Sequence, residues 1–440
     1  MGVTALRGAA RACGIDFGTS NSTVGWSRPD QGALLALEDG KLTLPSVVFF
    51  HAEDGHTSYG RAALADYLSG DEGRMMRSLK SLLGTSLMDD FTEVMGRVLP
   101  FRELLALFIG ELKARAEQAA GQGFDSAVLG RPVYFVDDDP VADRLAQDTL
   151  AGIARATGLK HIEFQYEPIA AAFDYESQIR REELVLVVDI GGGTSDFALV
   201  RLGPQRAARL ERKDDILASG GVHIGGTDFD KHLSLAGVMP LLGLGSRLNS
   251  GLDMPSAVYF NLATWHTIYQ AYTRKAWANI SELALLASEP EKLSALQNLV
   301  QQKDGHWLAL QVESAKIHLS SHETASLDLS RIGAGADLGL QRSVFDGAIK
   351  DLVGRVSQTV QALLTHAQVR AEQVDTVFFT GGSSGVPLLR QSVGELLPAA
   401  RRVEGDLFGS IGAGLALDAV RKFGYAGAPK RRSSLTGLST

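Results

Sequence analysis

The sequence predicts an α/β protein with mixed or parallel sheets, and three observations lead to this prediction. Segments with strand composition alternate along the chain with segments of helical periodicity. Residues 184–188 are continuously apolar, which is typical of a strand buried on both faces. The composition is 45% hydrophobic over 440 residues, which is enough apolar material for a large core.

The first half of the chain is predicted to contain strands that flank two helices. A strand–turn–strand unit is expected over 12–25, further strands over 44–50 and 127–136, and helices over 101–120 and 140–158. Pro132 falls inside the third of these strand segments, which indicates a sheet edge or a bulge because proline has no N–H to donate.

The second half begins with a predicted central strand and ends with another. The elements expected are a strand over 183–189, a turn and helix over 225–235, helices over 312–320 and 345–366, and a strand over 374–380. Residues 235–310 have a different composition, with several prolines and three of the four tryptophans. We interpret this stretch as a mainly helical insertion.

The charge composition argues against several classes of function. Lys and Arg total 43 and Asp and Glu total 51, so no basic excess favours binding along nucleic acid. The single cysteine, Cys13, excludes an intramolecular disulfide and a cysteine-based metal site, and we interpret it as a small buried hydrophobic residue. The sequence shows no signal peptide and no run of about 18 apolar residues, so we expect a cytoplasmic protein without membrane contact.

Two segments of the chain resemble each other. Residues 14–22 and 188–196 each contain an apolar strand, an aspartate, a glycine turn with hydroxyl side chains, and the start of a second strand. Asp16 and Asp189 occupy equivalent positions. Glycine lets the backbone approach a phosphate closely, and successive N–H groups in such a turn bind anions.

The aspartates add a second function to this pattern. A carboxylate at the end of a strand is a hard oxygen ligand for Mg²⁺, usually through the waters that the ion retains. Two such hairpins facing each other would hold a triphosphate and its metal across a cleft. One glycine hairpin alone would be explained as an ordinary turn, but the pair favours the functional interpretation.

Five blocks of the sequence, in order, resemble the heat shock protein 70 family of DnaK-type chaperones. The two phosphate loops match at 15–22 and 189–196, the connecting segment at 166–172, the adenosine-contacting helix at 313–320 and the second adenosine motif at 380–387. The resemblance extends from about residue 14 to residue 417. It covers the nucleotide-binding domain and is nearest to the short YegD-like branch.

This resemblance implies a bilobed actin-like ATPase fold with two ribonuclease-H-like lobes. Lobe I would span 12–182 with a smaller subdomain at about 46–115, and lobe II would span 183–404 with the helical insertion at about 235–310. A closing helix at 405–423 would return to lobe I, and 424–440 would form a disordered tail.

The resemblance also implies ATP or ADP with Mg²⁺ as cofactors, and it assigns residues to them. The expected catalytic residues are Lys80, Glu167, Asp189 and Asp196, and Asp16 and Asp189 would hold Mg²⁺ through water. The expected nucleotide contacts are Gly18, Thr19, Ser20, Asn21, Gly191, Gly192, Gly193, Thr194, Gly225, Gly226, Glu313, Lys316, Ser320, Gly381, Gly382, Ser383 and Asp406. Taken singly, Lys80 could be a solvated helix lysine, Glu167 a strand end and Asp406 a turn or cap residue.

Three departures from the family pattern modify this expectation. Ile317 and Gly385 replace the two arginines that enclose the adenine, so we expect weaker or less adenine-selective binding. Only 34 residues follow Asp406, too few for the family's peptide-binding domain. We therefore expect a slow, chaperone-like ATPase that acts through a protein partner or client in trans.

Three other functions stay open on the sequence alone. The chain could be a nucleotide sensor or scaffold without hydrolysis, an actin-like filament protein, or a small-molecule kinase of the same superfamily. The large insertion argues against filaments, and no substrate-binding acid for a kinase can be identified.

Overall fold

The structure is a computed structural model that describes residues 11–94, 96–209, 212–334 and 338–425. The strands within these ranges are β1 (Cys13–Asp16), β2 (Asn21–Gly25), β3 (Thr43–Pro45), β4 (Val47–His51), β5 (Thr57–Tyr59), β6 (Gly73–Arg77), β7 (Phe91–Val94), β8 (Arg97–Pro100), β9 (Ser126–Arg131), β10 (His161–Tyr166), β11 (Glu183–Ile190), β12 (Ser195–Leu202), β13 (Ile216–Val222), β14 (Thr324–Leu327), β15 (Leu338–Gln341), β16 (Thr376–Thr380) and β17 (Arg401–Glu404).

The α-helices connect and cover these strands. They are α1 (Gly60–Ser69), α2 (Phe101–Ala120), α3 (Pro140–Ala156), α4 (Glu167–Glu176), α5 (Pro204–Ala207), α6 (Gly226–Leu233), α7 (Ala257–Leu262), α8 (Arg274–Leu286), α9 (Pro290–Gln301), α10 (Gly305–Leu319), α11 (Arg342–His366), α12 (Pro387–Leu396) and α13 (Ser410–Phe423). No helix in the described ranges combines the length and apolar composition needed to cross a bilayer.

Two five-stranded sheets have the same construction. The first has the strand order β3-β2-β1-β9-β10 and the second the order β13-β12-β11-β16-β17. In each sheet the first three strands are antiparallel and the last two run parallel to the central strand. The central hairpins β1–β2 and β11–β12 therefore occupy equivalent places.

A small sheet, β5-β4-β6, lies between the two halves of the molecule. Alternate side chains of β4 enter different hydrophobic clusters. Val47 and Phe49 join the cluster that also buries the second sheet, and Val48 and Phe50 join the cluster around the first sheet. This follows from the two-residue period of a strand, which points successive side chains to opposite faces.

Helices cover the two large sheets in different ways. Helix α13 lies so close to β1 that a side chain at Gly14 would overlap Leu415. Helix α11 covers the second sheet with large buried side chains, among them Phe345, Ile349 and Val356. Both arrangements remove one face of a sheet from water, the first by close backbone approach and the second by side-chain bulk.

Most of the predicted elements are confirmed, and the differences have local causes. Helix α2 has the predicted bounds, whereas β9 ends at Arg131, before the proline that cannot continue the ladder. The segment 44–50 forms two strands, because Ser46 leaves the ladder and donates its Oγ to the carbonyl of Gly18 at 2.7 Å.

The segment predicted as a helical insertion contains α7, α8 and α9. Its predicted end at 310 lies inside a helix, since α10 begins at Gly305 and continues to Leu319. The tail predicted over 424–440 lies outside the described residues, apart from Gly424 and Tyr425.

Candidate functional site

The two glycine turns lie against each other. A side chain added at Gly192 would meet the hydroxyl-bearing side chains of Thr19 and Ser20, and one added at Gly193 would meet Thr19 Oγ1 at 3.0 Å. The turns therefore meet across the gap between the two large sheets. They line one end of a cavity of about 340 Å³.

The second turn is held by the start of helix α6. The carbonyl of Gly191 accepts from the amide of Gly226 at 2.9 Å, and the carbonyl of Gly192 accepts from the amide and the hydroxyl of Thr227, both at 2.8 Å. A side chain at Gly225 would lie 2.6 Å from the Gly192 carbonyl carbon. Gly225 is thus required for close packing behind the turn, and it does not line the cavity.

Four acidic side chains and one lysine are buried beside these turns. Asp16, Glu167, Asp189 and Asp196 are each at most 6% exposed. The Nζ of Lys80 lies 2.6 Å from Glu167 Oε1, and Lys80 is also buried. The interpretation of Lys80 as a solvated lysine is therefore wrong. Its ammonium group pairs with Glu167 inside this buried cluster.

The cluster holds more negative than positive charge, and this changes the pKa values of its members. Burial, and next the charge of Glu167, raise the pKa of Asp16 to about 7 and that of Asp196 to about 7. The same causes raise the pKa of Asp189 well above its usual value. Burial alone would lower the pKa of Lys80, but the neighbouring carboxylates outweigh it and raise that pKa.

Two carboxylate oxygens in this cluster have no hydrogen-bond partner among the described residues. They are Asp189 Oδ1 and Asp196 Oδ2, both buried. Unpartnered buried oxygens are costly, and a hard divalent cation with its water shell would satisfy Asp189 Oδ1, because Asp189 lines the cavity. The residues of this site therefore fit Mg²⁺.

The opposite end of the cavity is built from α10 and from the turn after β16. Glu313, Lys316, Ile317 and Ser320 line it from the helix, and Gly381, Gly382 and Ser383 line it from the turn. Lys316 Nζ pairs with Asp230 at 2.9 Å and donates to the carbonyl of Gly226 at 3.2 Å.

An ion pair that the sequence analysis missed joins the two halves at this end. Both terminal nitrogens of the Arg77 guanidinium, Nη1 and Nη2, contact the Glu313 carboxylate, at 2.5 and 2.6 Å, and the guanidinium lies over the ring of Trp265. Burial would raise the pKa of Glu313, but Arg77 reverses this and lowers it. In the sequence, the only local indication that Arg77 belongs to the site is its position three residues before Lys80.

Phe408 is a second residue that the sequence analysis missed. Its ring lines the cavity, lies beside Gly382 and is 49% exposed. Ile317 lines the same end and is 62% exposed. A side chain at Gly385 would meet no atom within 4 Å, so the space for a larger residue exists there.

Three of the residues assigned from the sequence do not line the cavity: Asp196, Gly225 and Asp406. Asp196 Oδ1 accepts from the amide of Val133 at 2.6 Å, which ties the second hairpin to the segment after β9. The Asp406 carboxylate accepts from the amide of Phe408 at 3.1 Å, in the turn that leads into α13. The contact of Asp406 with adenosine stays a prediction. The other assigned residues line the cavity together.

A larger cavity of about 630 Å³ lies beside the site, between β6 and the 3₁₀ helix Trp265–Tyr272. Its lining mixes aromatic side chains, such as Tyr269 and Trp265, with aliphatic and charged ones. It lacks the glycine turns and the aspartates, so we place the functional site in the smaller cavity.

Comparison with known proteins decides the family. The family model described as Hsp70 protein matches residues 12–236 and 285–419, which is well over half of the chain. The chain belongs to the Hsp70 family. Its fold is accordingly the actin-like ATPase fold, with a ribonuclease-H-like sheet in each lobe, as the sequence predicted. Residues 237–284, which include the aromatic helix beside the larger cavity, lie between the two matched blocks.

Curated Hsp70 relatives align with most of this chain. It is 28% identical over 391 residues to the chaperone protein DnaK of Thermosipho africanus, and the alignment covers 87% of the chain and 54% of that protein. It is 29% identical over 430 residues to the chaperone protein HscA of Citrobacter koseri, covering 92% of the chain and 58% of that protein. The chain thus spans a little over half the length of these relatives.

Proposed function

We propose that this Hsp70-family chain binds ATP with Mg²⁺ in the cavity between its lobes and hydrolyses it slowly. Nucleotide-driven closure of the lobes would act as a switch that a protein partner or client in trans responds to. The observation that supports this most directly is the contact between the two glycine turns beside four buried acids and a buried lysine.

The turns would bind the phosphates. Backbone amides of the two turns, together with the hydroxyls of Thr19, Ser20 and Thr194, are the donors available to a polyphosphate. Asp16 and Asp189 would hold the hydrated Mg²⁺, since both line the same cavity as the two turns. The metal would supply charge neutralisation for the phosphates.

The remaining charged residues would serve the hydrolytic step. Lys80 is buried and positively charged, so it would stabilise charge that develops on the terminal phosphoryl group. Glu167 holds Lys80 in place through the ion pair at 2.6 Å. Asp196 or Asp189 would orient the attacking water, as phosphoryl transfer depends largely on positioning and electrostatics.

The adenosine would occupy the end formed by α10 and the turn after β16. The residues that would contact it are Glu313, Lys316, Ser320 and Gly382, all of which line the cavity. The exposed ring of Phe408 offers an aromatic face for the base, where Ile317 offers only apolar contact. We expect weaker or less adenine-selective binding, because the stacking arginines of the family are absent here.

The experiment that tests the proposal is a single-turnover assay with ATP, together with calorimetric titration of ATP and GTP. Turnover that is abolished in Asp189→Ala and in Lys80→Ala supports hydrolysis at this site. Lys292→Ala, at a half-buried position that does not line the cavity, is the control and should retain activity. Tight and strictly ATP-selective binding would contradict the proposed base contacts.

A nucleotide sensor without hydrolysis is the second candidate. Ile317 is 62% exposed and carries no charge, so one side of the base would lack a cation. This favours weak nucleotide binding without hydrolysis. Stoichiometric binding with no product in the single-turnover assay would decide for the sensor.

A further inference from the structure

A cluster of histidines and carboxylates lies outside the nucleotide site, at one end of the small sheet. His51 ends strand β4, His56 precedes β5, and Asp66 belongs to helix α1. One nitrogen from each ring and one oxygen of Asp66 all lie within 4.8 Å of one another. The two imidazole rings are stacked, with their centroids 3.6 Å apart.

The distance between the nearest pair of these atoms matches metal coordination. His51 Nε2 lies 3.1 Å from Asp66 Oδ2. Two ligands at about 2.0–2.2 Å from a tetrahedral Zn²⁺ ion are roughly 3.3–3.6 Å apart. His51 and Asp66 therefore already have nearly the spacing that a shared ion requires.

Each imidazole also has a second carboxylate near one of its nitrogens. His56 Nδ1 lies 2.6 Å from Asp54 Oδ1, and His51 Nδ1 lies 3.7 Å from Asp71 Oδ2. Histidines that bind metals almost always give their second nitrogen to a carboxylate, a carbonyl or water, which fixes the ring and makes it a better ligand. Asp54 accepts from both the ring and the backbone amide of His56, whereas the contact of His51 with Asp71, at 3.7 Å, is an ion-pair distance and not a hydrogen bond.

The burial of the residues fits a site in which one histidine is held in the core and the other is open to solvent. The His51 side chain is 9% exposed and packs edge-on against Phe49. The His56 side chain is 53% exposed and follows the short hairpin loop, and its ring must rotate out of the stack with His51 before both in-plane lone pairs can reach one ion. Two imidazoles and one carboxylate are a typical ligand set for Zn²⁺ with an open fourth position, and they do not suit Mg²⁺.

We propose that His51, His56 and Asp66 form a Zn²⁺ site, with Asp54 and Asp71 orienting the two imidazoles. The ion would join the β4–β5 hairpin to helix α1. One residue after Asp66, the hydroxyl of Tyr67 accepts from the amide of Trp307 at 3.0 Å, in helix α10. The site would thus fix the helix through which the small sheet contacts the second lobe.

The test is a Zn²⁺ titration of the untagged, metal-free chain against a chromophoric chelator, with excess Mg²⁺ to occupy the carboxylates of the nucleotide site. We expect one equivalent of bound Zn²⁺. Asp54→Asn should weaken the affinity about 10–100-fold, as is usual for an outer carboxylate, and His56→Ala should weaken it further. Both residues are exposed, so these variants test binding without disturbing the core.

The matched control is His322→Ala. The rings of His318 and His322 also stack, at 3.9 Å, but no third ligand joins them in the described part of the chain. Zn²⁺ affinity should be unchanged in this variant. The proposal is overturned if the folded chain binds no stoichiometric Zn²⁺, or if His322→Ala removes the binding and His56→Ala does not. Co²⁺ in place of Zn²⁺ should give the intense visible bands of a tetrahedral site in the chain and not in His56→Ala.

Discussion

The two large sheets share one strand order, but their central hairpins carry different chemistry. Asp16 lies opposite Thr23 in the first hairpin, whereas Asp189 lies opposite Asp196 in the second. The equivalent position thus holds a hydroxyl in one sheet and a buried carboxylate in the other. The repeated backbone places the two turns together, and the substituted position gives the second hairpin an additional acid.

The sheets differ as well in how closely a helix approaches them. Glycines on β1 and β2 allow α13 to touch the first sheet, and a side chain at Gly25 would overlap the carbonyl of Gly412. The second sheet meets its helix through large side chains. The first lobe therefore tolerates less change of volume at its helix–sheet contact than the second lobe does.

The largest effect is expected at the buried ion pair between Lys80 and Glu167, beside the two hairpins. Lys80→Met leaves Glu167 buried without its cation, next to Asp16, and removing one partner of a buried pair costs about 3–5 kcal/mol. Urea unfolding should show this loss of stability. Lys292→Met, which breaks a partly exposed surface pair with Glu289, should cost less than about 1 kcal/mol. Equal losses in the two variants would mean that the cluster does not depend on Lys80.

The asymmetry between the hairpins is tested by making the second resemble the first. Asp196→Thr should lower single-turnover hydrolysis by about 100-fold or more, the usual effect of removing one preorganised polar group. Nucleotide affinity should change much less, because Asp196 does not line the cavity. The exposed Asp253→Asn serves as the control. A parallel loss of affinity would assign Asp196 to binding instead of positioning.

The close approach of α13 is tested by adding a methyl group. A side chain at Gly414 would overlap the carbonyl oxygen of Ala170, so Gly414→Ala must separate α13 from α4 and should cost about 1–3 kcal/mol or more. Gly347→Ala, in the helix that covers the second sheet, meets no atom within 4 Å. It should raise stability by about 0.5–1 kcal/mol. Thermal unfolding of the two variants would show opposite shifts, and shifts of one sign would contradict the comparison.

The smallest effect concerns the contact between the small sheet and the second lobe. Burial, and next the charge of Arg74, lower the pKa of His306 to about 4 from the 6.5 of an unperturbed histidine. The folded chain then binds fewer protons than the unfolded chain between these values. His306 contributes stability above pH 6.5 that is lost as the pH falls towards 4, at most about 3 kcal/mol and less because the side chain is partly exposed.

His306→Gln should therefore flatten the fall in unfolding free energy between pH 6.5 and 4. Denaturant unfolding at several pH values measures it, with His161→Gln as the control at an exposed position. An unchanged pH profile in His306→Gln would show that the ring already meets water in the folded chain.

The central hairpins were predictable from the sequence because their information is local. Apolar residues fix the strands, glycines fix the turns, and the aspartates follow at set positions in both segments. Helix α2 was predicted for the same reason, since its apolar side recurs with helical spacing. The end of β9 and the division at Ser46 were less predictable, because a proline and a hydroxyl acted through partners elsewhere in the chain.

The sequence by itself determined the strands, the paired turns and the types of residue at the nucleotide site. Only the tertiary structure decided which distant groups meet: Arg77 with Glu313 across 236 positions, Asp196 with the amide of Val133, and His51 with Asp66. The physical reason is that backbone conformation depends on neighbouring residues, whereas a contact between distant side chains depends on how whole sheets and helices pack. The pKa of Asp189 shows the same limit. Burial and nearby carboxylates determine it, and neither can be read from its neighbours in the sequence.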